Sequence, residues 1–81
     1  MVYFARATLR FDGACQPNPG TGGCGWIIFN DNNGNAILEG QRYMGNDCTN
    51  NVAEYFGLVE ALKHLRDSSH HVGCLTIEGD S

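Results

Sequence analysis

Long apolar runs and an excess of positive charge are both missing from this 81-residue chain. The longest apolar run, residues 26–29, is too short to span a bilayer, so we expect no membrane partner. The start of the chain, residues 1–6, has no basic segment followed by an apolar one. No export signal is therefore predicted, and we expect an intracellular location, cytoplasmic or nuclear. Nine acidic residues against five Lys and Arg give a net charge of −4, which argues against capture of nucleic acid by simple charge attraction.

Closely spaced cysteine pairs are missing as well. The four cysteines, at positions 15, 24, 48 and 74, form no C-x-x-C motif. Without an export signal, the expectation is that all of them are free thiols in a reducing compartment. A zinc site built from Cys74, His70 and His71 is an alternative, although its spacing matches no common ligand pattern.

The residues that are present predict one small globular domain. Hydrophobic residues make up 42% of the chain and charged residues 17%, which excludes a disordered tail. Residues 3–12 alternate between apolar and polar side chains and predict a strand, and the glycines and prolines of residues 13–23 predict turns. Two further strands, near 24–29 and 36–44, flank an Asn-Gly hairpin turn at 31–35. Their short connections predict an antiparallel meander.

The hydrophobic period then changes from two residues to between three and four. This spacing predicts an amphipathic helix over 51–67 whose apolar face comprises Val52, Tyr55, Phe56, Val59, Leu62 and Leu65. Gly57, inside the helix, suggests a close contact with the sheet. A loop is predicted over 68–73 and a last strand over 74–78. That strand should run parallel to an earlier one, because a helix connects them.

The expected fold class is therefore α/β, with a mixed sheet in the order β-β-β-α-β. No predicted element covers the second face of this sheet. Residues 1–81 are thus expected to be a single but incomplete domain, the first half of a larger α/β unit.

Two other motifs match familiar patterns only in part. The G-x-G-x-x-G string at 20–25 opens a strand, whereas the dinucleotide-binding fingerprint follows a strand and opens a helix. Residues 31–34 resemble the start of a calcium loop, but Gly34 stands at the fourth position instead of the sixth. Arg42 also occupies the position of the bidentate acid. Neither dinucleotide binding nor calcium binding is predicted.

Three acidic residues fall at informative positions. Asp12 and Asp80 end the first and last predicted strands, so parallel pairing would bring both carboxylates to the same edge of the sheet. Glu54 lies in the first turn of the predicted helix, where a capping box formed by residues 51–54 is the simpler explanation. Carboxylates that converge repel one another unless a divalent cation neutralises them. A shared edge would therefore favour a metal site.

Three blocks of the sequence resemble type 1 ribonuclease H domains, in the branch similar to the ribonuclease H portion of reverse transcriptases. They are residues 12–25 (DGACQPNPGTGGCG), residues 49–62 (TNNVAEYFGLVEAL) and residues 79–81 (GDS). All three occur in order around the predicted elements. The resemblance covers nearly the whole chain but only the N-terminal part of the family domain.

The resemblance implies a two-metal hydrolase of the RNA strand in RNA–DNA hybrids, with Mg²⁺ as cofactor and Mn²⁺ as substitute. Asp12 would bridge both ions, while Glu54 and Asp80 would hold the ion on the leaving-group side. Glu54 and Asn51 would also contact the 2′-hydroxyl, the group that distinguishes RNA from DNA.

The resemblance also implies a set of nucleic-acid contacts. Asn18 would lie close to the RNA backbone. Thr49, with the amides of the helix start, would bind a phosphate of the DNA strand. Asn50 is also expected to contact the nucleic acid. Helix capping is the structural alternative for Thr49 and Asn50, and both roles can hold at once.

One departure from the family limits what is expected of the isolated chain. The fourth carboxylate of the family lies on a C-terminal helix beyond these 81 residues. We therefore expect hybrid cleavage from the parent protein and none from this chain alone. The alternatives are a non-catalytic nucleic-acid-binding module and a half-domain completed by a partner chain, including a second copy through self-association.

Overall fold

The computed structural model describes residues 2–16 and 20–79. In chain order, the elements are β1 (Val2–Gln16), β2 (Gly20–Asn30), β3 (Ala36–Cys48), α1 (Asn50–Asp67) and β4 (His70–Gly79). The four strands form one sheet in the order β3-β2-β1-β4. β1 and β2 are antiparallel, as are β2 and β3, whereas β1 and β4 are parallel. The predicted mixed β-β-β-α-β sheet is confirmed.

The strands extend further than the sequence pattern predicted. Cys15 is paired with Gly22, so residues 13–16 and 20–23 form strand where turns were predicted. β4 already begins at His70, which is paired with Val2, and the predicted loop over 68–73 is therefore wrong from residue 70 onward. In both places, ladder hydrogen bonds to a neighbouring strand extend segments whose own composition does not favour a strand.

The hairpin turn between β2 and β3 is confirmed. The Gly34 amide donates to the Asn30 carbonyl at 2.7 Å, and Gly34 has a φ of 74°. Glycine populates this left-handed region without steric cost, which explains the Asn-Gly pair at this position.

The core lies between α1 and one face of the sheet. Its buried residues are Ala7, Leu9, Trp26, Ile28 and Ala61. In β1 and β2 these side chains alternate with residues that point to the opposite face, as the two-residue period of a strand requires. Among the described elements, α1 is the only helix, and it covers one face of the sheet. No helix in the described residues is long and apolar enough to cross a membrane.

The predicted apolar face of α1 is wrong in part. The buried helix residues are Ala53, Gly57 and Ala61, spaced four apart on one side of the helix. Of the predicted face, Leu65 packs against the core, but Tyr55 is 68% exposed and Val52 is 53% exposed. Small residues at the contact let the helix axis approach the sheet closely, and the larger apolar side chains then lie beside the contact. Hydrophobic spacing alone does not detect such a contact.

The glycines at this contact differ in how much space surrounds them. A Cβ at Gly57 would meet its nearest neighbours, Cys24 Cβ and two backbone oxygens, at 3.4 to 3.5 Å, which is ordinary contact distance. A Cβ at Gly13 of β1 would collide with the backbone of Ala53 and Glu54. The predicted close contact at Gly57 is therefore confirmed, but the tightest approach is at Gly13.

We predict opposite effects for alanine at these two glycines. Gly57→Ala should raise the free energy of unfolding by up to about 1 kcal/mol, because alanine favours the helix and the methyl group fits. Gly13→Ala should lower it by about 1–3 kcal/mol, because the helix must move away from β1. Urea unfolding followed by circular dichroism measures both. Equal effects of the two substitutions would contradict the close approach at Gly13.

Candidate active site

The candidate site lies where the parallel pairing of β1 and β4 ends. The last described pair joins Phe11 to Gly79, and Asp12 follows Phe11 directly. The Asp12 side chain is exposed, and its Oδ1 accepts from the Gly13 amide at 2.9 Å. Asp12 is thus held at the edge of the sheet with its carboxylate accessible to solvent and ligands.

Glu54 reaches the same edge from α1. Its backbone nitrogen lies against Gly13, and its Oε1 lies 3.3 Å from the position that a Cβ on Gly79 would occupy. The side chain is half-buried. The helix therefore places the Glu54 carboxylate beside the end of β4, next to the strand that carries Asp12.

The capping explanation for Glu54 is wrong. The N-cap of α1 is Thr49, whose hydroxyl accepts from the Val52 amide at 3.2 Å, and the first turn contains no acidic residue. The helix begins earlier than predicted, so Glu54 lies beyond the turn whose amides need capping. Stabilisation of the helix end does not account for this carboxylate at the sheet edge.

Three of the four residues predicted to contact nucleic acid, Thr49, Asn50 and Asn51, lie at the start of α1. The capping alternative for Thr49 is confirmed by the bond to Val52. The side-chain oxygen of Asn50 accepts from the Cys15 amide at 2.7 Å, while Asn51 is exposed. Their contacts with nucleic acid remain predictions.

Two predicted site residues, Asn18 and Asp80, lie outside the described residues. Within residues 2–16 and 20–79, no three His, Cys, Asp or Glu side chains are grouped closely enough to hold a metal ion. Asp12 and Glu54 lie at the same edge of the sheet. A site that also includes the carboxylate of Asp80 remains a prediction. The alternative zinc site at Cys74, His70 and His71 is not formed in this part of the chain.

The expectation that all cysteines are free is wrong. Cys15 and Cys48 form a disulfide with a Cα–Cα separation of 6.0 Å, while Cys24 and Cys74 are free. The two bonded cysteines lie at the ends of β1 and β3, and a separation of 33 residues gave no spacing signal. Pairing of the sheet, not proximity in sequence, brings them together.

A depression of about 900 Å³ crosses all four strands, and Asp12 contributes to its lining. Arg10 and Arg42 also line it, but both are ion-paired, with Glu78 at 2.9 Å and Glu60 at 3.3 Å. Each of these charges is therefore partly balanced by a neighbouring carboxylate. The depression is therefore not a strongly basic surface.

A protein-family profile described as "Reverse transcriptase-like" matches residues 10–81, which include Asp12 in β1, the helix with Glu54, and β4. The chain belongs to the ribonuclease H family. This confirms the resemblance on which the site residues were predicted, although it does not test the role of any one of them.

Curated relatives share this assignment over part of their length. The chain is 46% identical over 63 residues to "Ribonuclease H" of Ehrlichia canis, covering 75% of this chain and 39% of that protein. It is 40% identical over 63 residues to "Ribonuclease HI" of Synechocystis, covering 76% of this chain and 37% of that protein. The chain thus spans less than half the length of these ribonuclease H relatives.

Solved structures agree with the described fold. Ribonuclease H1 from the halophilic archaeon Halobacterium salinarum superposes with a TM-score of 0.79 at 35% identity, over 95% of this chain and 55% of that one. LC11-RNase H1, isolated from compost by a metagenomic approach, gives a TM-score of 0.78 at 32% identity, over 96% and 56%. The sheet order and the position of α1 are therefore those of the ribonuclease H fold.

Sequence reasoning missed three features of this site. They are the close approach at Gly13, the Cys15–Cys48 disulfide, and the bond from the Cys15 amide to Asn50. A glycine directly after a candidate site residue in a strand is a usable signal for close approach. The other two depend on contacts between residues far apart in sequence.

We predict that the cysteines react with iodoacetamide in a set order. Burial raises the pKa of the Cys24 thiol, and the Glu60 carboxylate raises it further, so little of the reactive thiolate is present. Without reductant at mildly alkaline pH, exposed Cys74 should be modified first, Cys24 slowly, and Cys15 and Cys48 not at all. Peptide mass spectrometry measures this order. Modification of Cys15 in the unreduced, native protein would contradict the disulfide.

Proposed function

We propose that the protein carrying this chain hydrolyses the RNA strand of RNA–DNA hybrids. The observation that carries the proposal is the likeness to LC11-RNase H1, whose structure was solved in complex with an RNA/DNA hybrid. That structure matches 82% of this chain with a TM-score of 0.69 at 36% identity. The accessible Asp12 and the half-buried Glu54 at one sheet edge support it.

In this proposal Asp12, Glu54 and Asp80 hold Mg²⁺, with Mn²⁺ as a substitute. The donor chemistry fits, because Mg²⁺ prefers hard carboxylate oxygens, and the edge already holds two of these side chains. Two bound ions would activate the attacking water and stabilise the leaving oxygen of an in-line displacement. Asp12 keeps one oxygen on the Gly13 amide, which limits rotation of its carboxylate.

The start of α1 would position the hybrid. Exposed Asn51 and the carboxylate of Glu54 are proposed to contact the 2′-hydroxyl, which selects the RNA strand. Thr49 and the amides of the helix start are proposed to bind a phosphate of the DNA strand, with the helix dipole favouring that anion. Asn18 is proposed to lie against the RNA backbone. Such contacts suit a chain with a net charge of −4, because they do not require a basic patch.

We further propose that residues 1–81 are the N-terminal part of one ribonuclease H domain. The chain covers 55% of the Halobacterium salinarum structure and 39% of the Ehrlichia canis protein. In the described sheet β4 lies at one edge, where its outer side has no strand neighbour among β1–β4. The remaining carboxylate and the cover of the open face are proposed to come from the rest of the parent domain.

We predict that Asp12→Asn abolishes hybrid cleavage by the parent protein without unfolding it. The substitution keeps the shape of the side chain but removes the negative charge of a carboxylate that would hold metal, so a loss of at least about a thousandfold is expected. Asp67→Asn is the matched control. It removes the same charge at the exposed end of α1 and should leave cleavage unchanged.

The assay compares a labelled RNA–DNA hybrid with duplex RNA and duplex DNA, and circular dichroism checks folding of both variants. Cleavage of the hybrid alone supports the proposal. Equal cleavage of all three duplexes would contradict the proposed recognition of the 2′-hydroxyl. An active, folded Asp12→Asn variant would show that Asp12 is not required for cleavage.

We predict that the isolated 81-residue chain binds one Mn²⁺ ion weakly and cleaves hybrid at a negligible rate. The three predicted carboxylates would hold one ion, whereas a second ion would lack the fourth carboxylate that the family resemblance implies. The open sheet face and the β4 edge also favour self-association. Calorimetry measures Mn²⁺ binding, a cleavage assay measures activity on the hybrid, and light scattering measures self-association. A stable monomer as active as the parent would contradict the account of the site.

A further inference from the structure

Two links join the end of β1 to α1 or to the residues just before it. The Cys15 amide donates to the side-chain oxygen of Asn50 at 2.7 Å, in a partly buried position. The disulfide between Cys15 and Cys48 connects the same strand end to the residue that precedes the N-cap Thr49. One link is polar and one is covalent, and both act on Cys15.

These links lie close in sequence to the two carboxylates of the candidate site. Asp12 precedes Cys15 by three residues on β1, and Glu54 follows Asn50 by four residues on α1. Four residues of α-helix rise only about 6 Å, and a helical turn is stiff. A shift of the helix start relative to Cys15 is therefore transmitted to the separation of Asp12 and Glu54.

We propose that Asn50 is a positioning residue for the hydrolysis proposed above, on which this inference rests. Its side-chain oxygen holds the start of α1 against β1, so that Glu54 is kept in register with Asp12. The disulfide acts in parallel with this hydrogen bond.

This role differs from the nucleic-acid contact that the family resemblance implies for Asn50. Positioning uses the amide oxygen as an acceptor, and an aspartate at the same place can supply an equivalent oxygen. A contact with a phosphate uses the amide NH₂ as a donor, and an aspartate would repel the phosphate. Alanine removes both groups. The pair Asn50→Ala and Asn50→Asp therefore separates the two roles.

The parallel arrangement predicts non-additive behaviour. While the disulfide is intact, loss of the Asn50 bond should be partly compensated. In a Cys48→Ala background the hydrogen bond is the remaining one of these two links, so its loss should have the full effect. The effects of substitutions at residues that share one contact are coupled in this manner, whereas the effects of substitutions at distant residues add.

The experiment measures hybrid cleavage by the parent protein well below its unfolding temperature, with kcat and KM determined separately. In the Cys48→Ala background we expect Asn50→Ala to lower kcat by about ten- to a hundredfold with KM little changed, as misplacement of reacting groups does. Asn50→Asp should restore most of kcat. With the disulfide intact, Asn50→Ala should lower kcat less. Asn32→Asp, in the exposed hairpin turn, controls for the added charge and should change nothing.

Three outcomes would overturn the proposal. A higher KM for Asn50→Ala that aspartate does not rescue would assign Asn50 to nucleic-acid contact instead. A lower unfolding temperature with unchanged kcat would make its role structural only. Equal effects of Asn50→Ala with and without the disulfide would show that the two links do not act in parallel.

Hydrogen exchange at the Cys15 amide provides a readout that does not need activity. Asn50→Ala should speed this exchange at least about tenfold, more so in the Cys48→Ala background, and Asn50→Asp should restore protection. If the parent protein cleaves no hybrid, the proposed function fails, while the exchange result still decides whether Asn50 holds this junction. Unchanged exchange in an active enzyme would reject the positioning role alone.

Discussion

The close approach of α1 to β1 at Gly13 is the contact on which the arrangement of the site depends. The strand backbone touches the helix backbone at Ala53 and Glu54, with no side chain between them. Any larger residue at this point would widen the gap and carry Glu54 away from Asp12. The buried small residues Ala53, Gly57 and Ala61 continue the same contact along the helix. Close packing of small residues therefore sets a geometry on which the proposed chemistry depends.

Around this contact, different elements contribute different parts of the proposed site. β1 ends its parallel pairing just before Asp12, β4 ends beside the Glu54 carboxylate, and the start of α1 carries the polar residues Thr49 to Asn51. Residues adjacent in space are thus far apart in sequence. This suits a function that needs several oxygen ligands at one point, because converging carboxylates are more easily held by separate rigid elements than by one flexible loop.

The charge distribution is informative about how a polyanionic hybrid would be held. Arg10 and Arg42, which line the depression beside Asp12, are each ion-paired with a glutamate. Exposed pairs of this kind contribute little to stability, but they reduce the positive potential available to phosphates. Under the proposed function, hydrogen bonds at the helix start and the bound cations would carry more of the binding than a basic surface.

The sequence by itself determined the type and order of the elements, the hairpin turn at Gly34 and the family, because these depend on local periodicity, turn chemistry and short motifs. It also singled out Asp12 from a predicted strand end, although β1 continues to Gln16, and it singled out Glu54 through the family resemblance. Only the tertiary structure decided which face of α1 is buried, how far β1 and β4 extend, and that Cys15 contacts both Cys48 and Asn50. Those features depend on pairing and packing between segments distant in the chain. Hydrophobic spacing cannot report them, since a small residue at a close contact has no hydrophobic signal of its own.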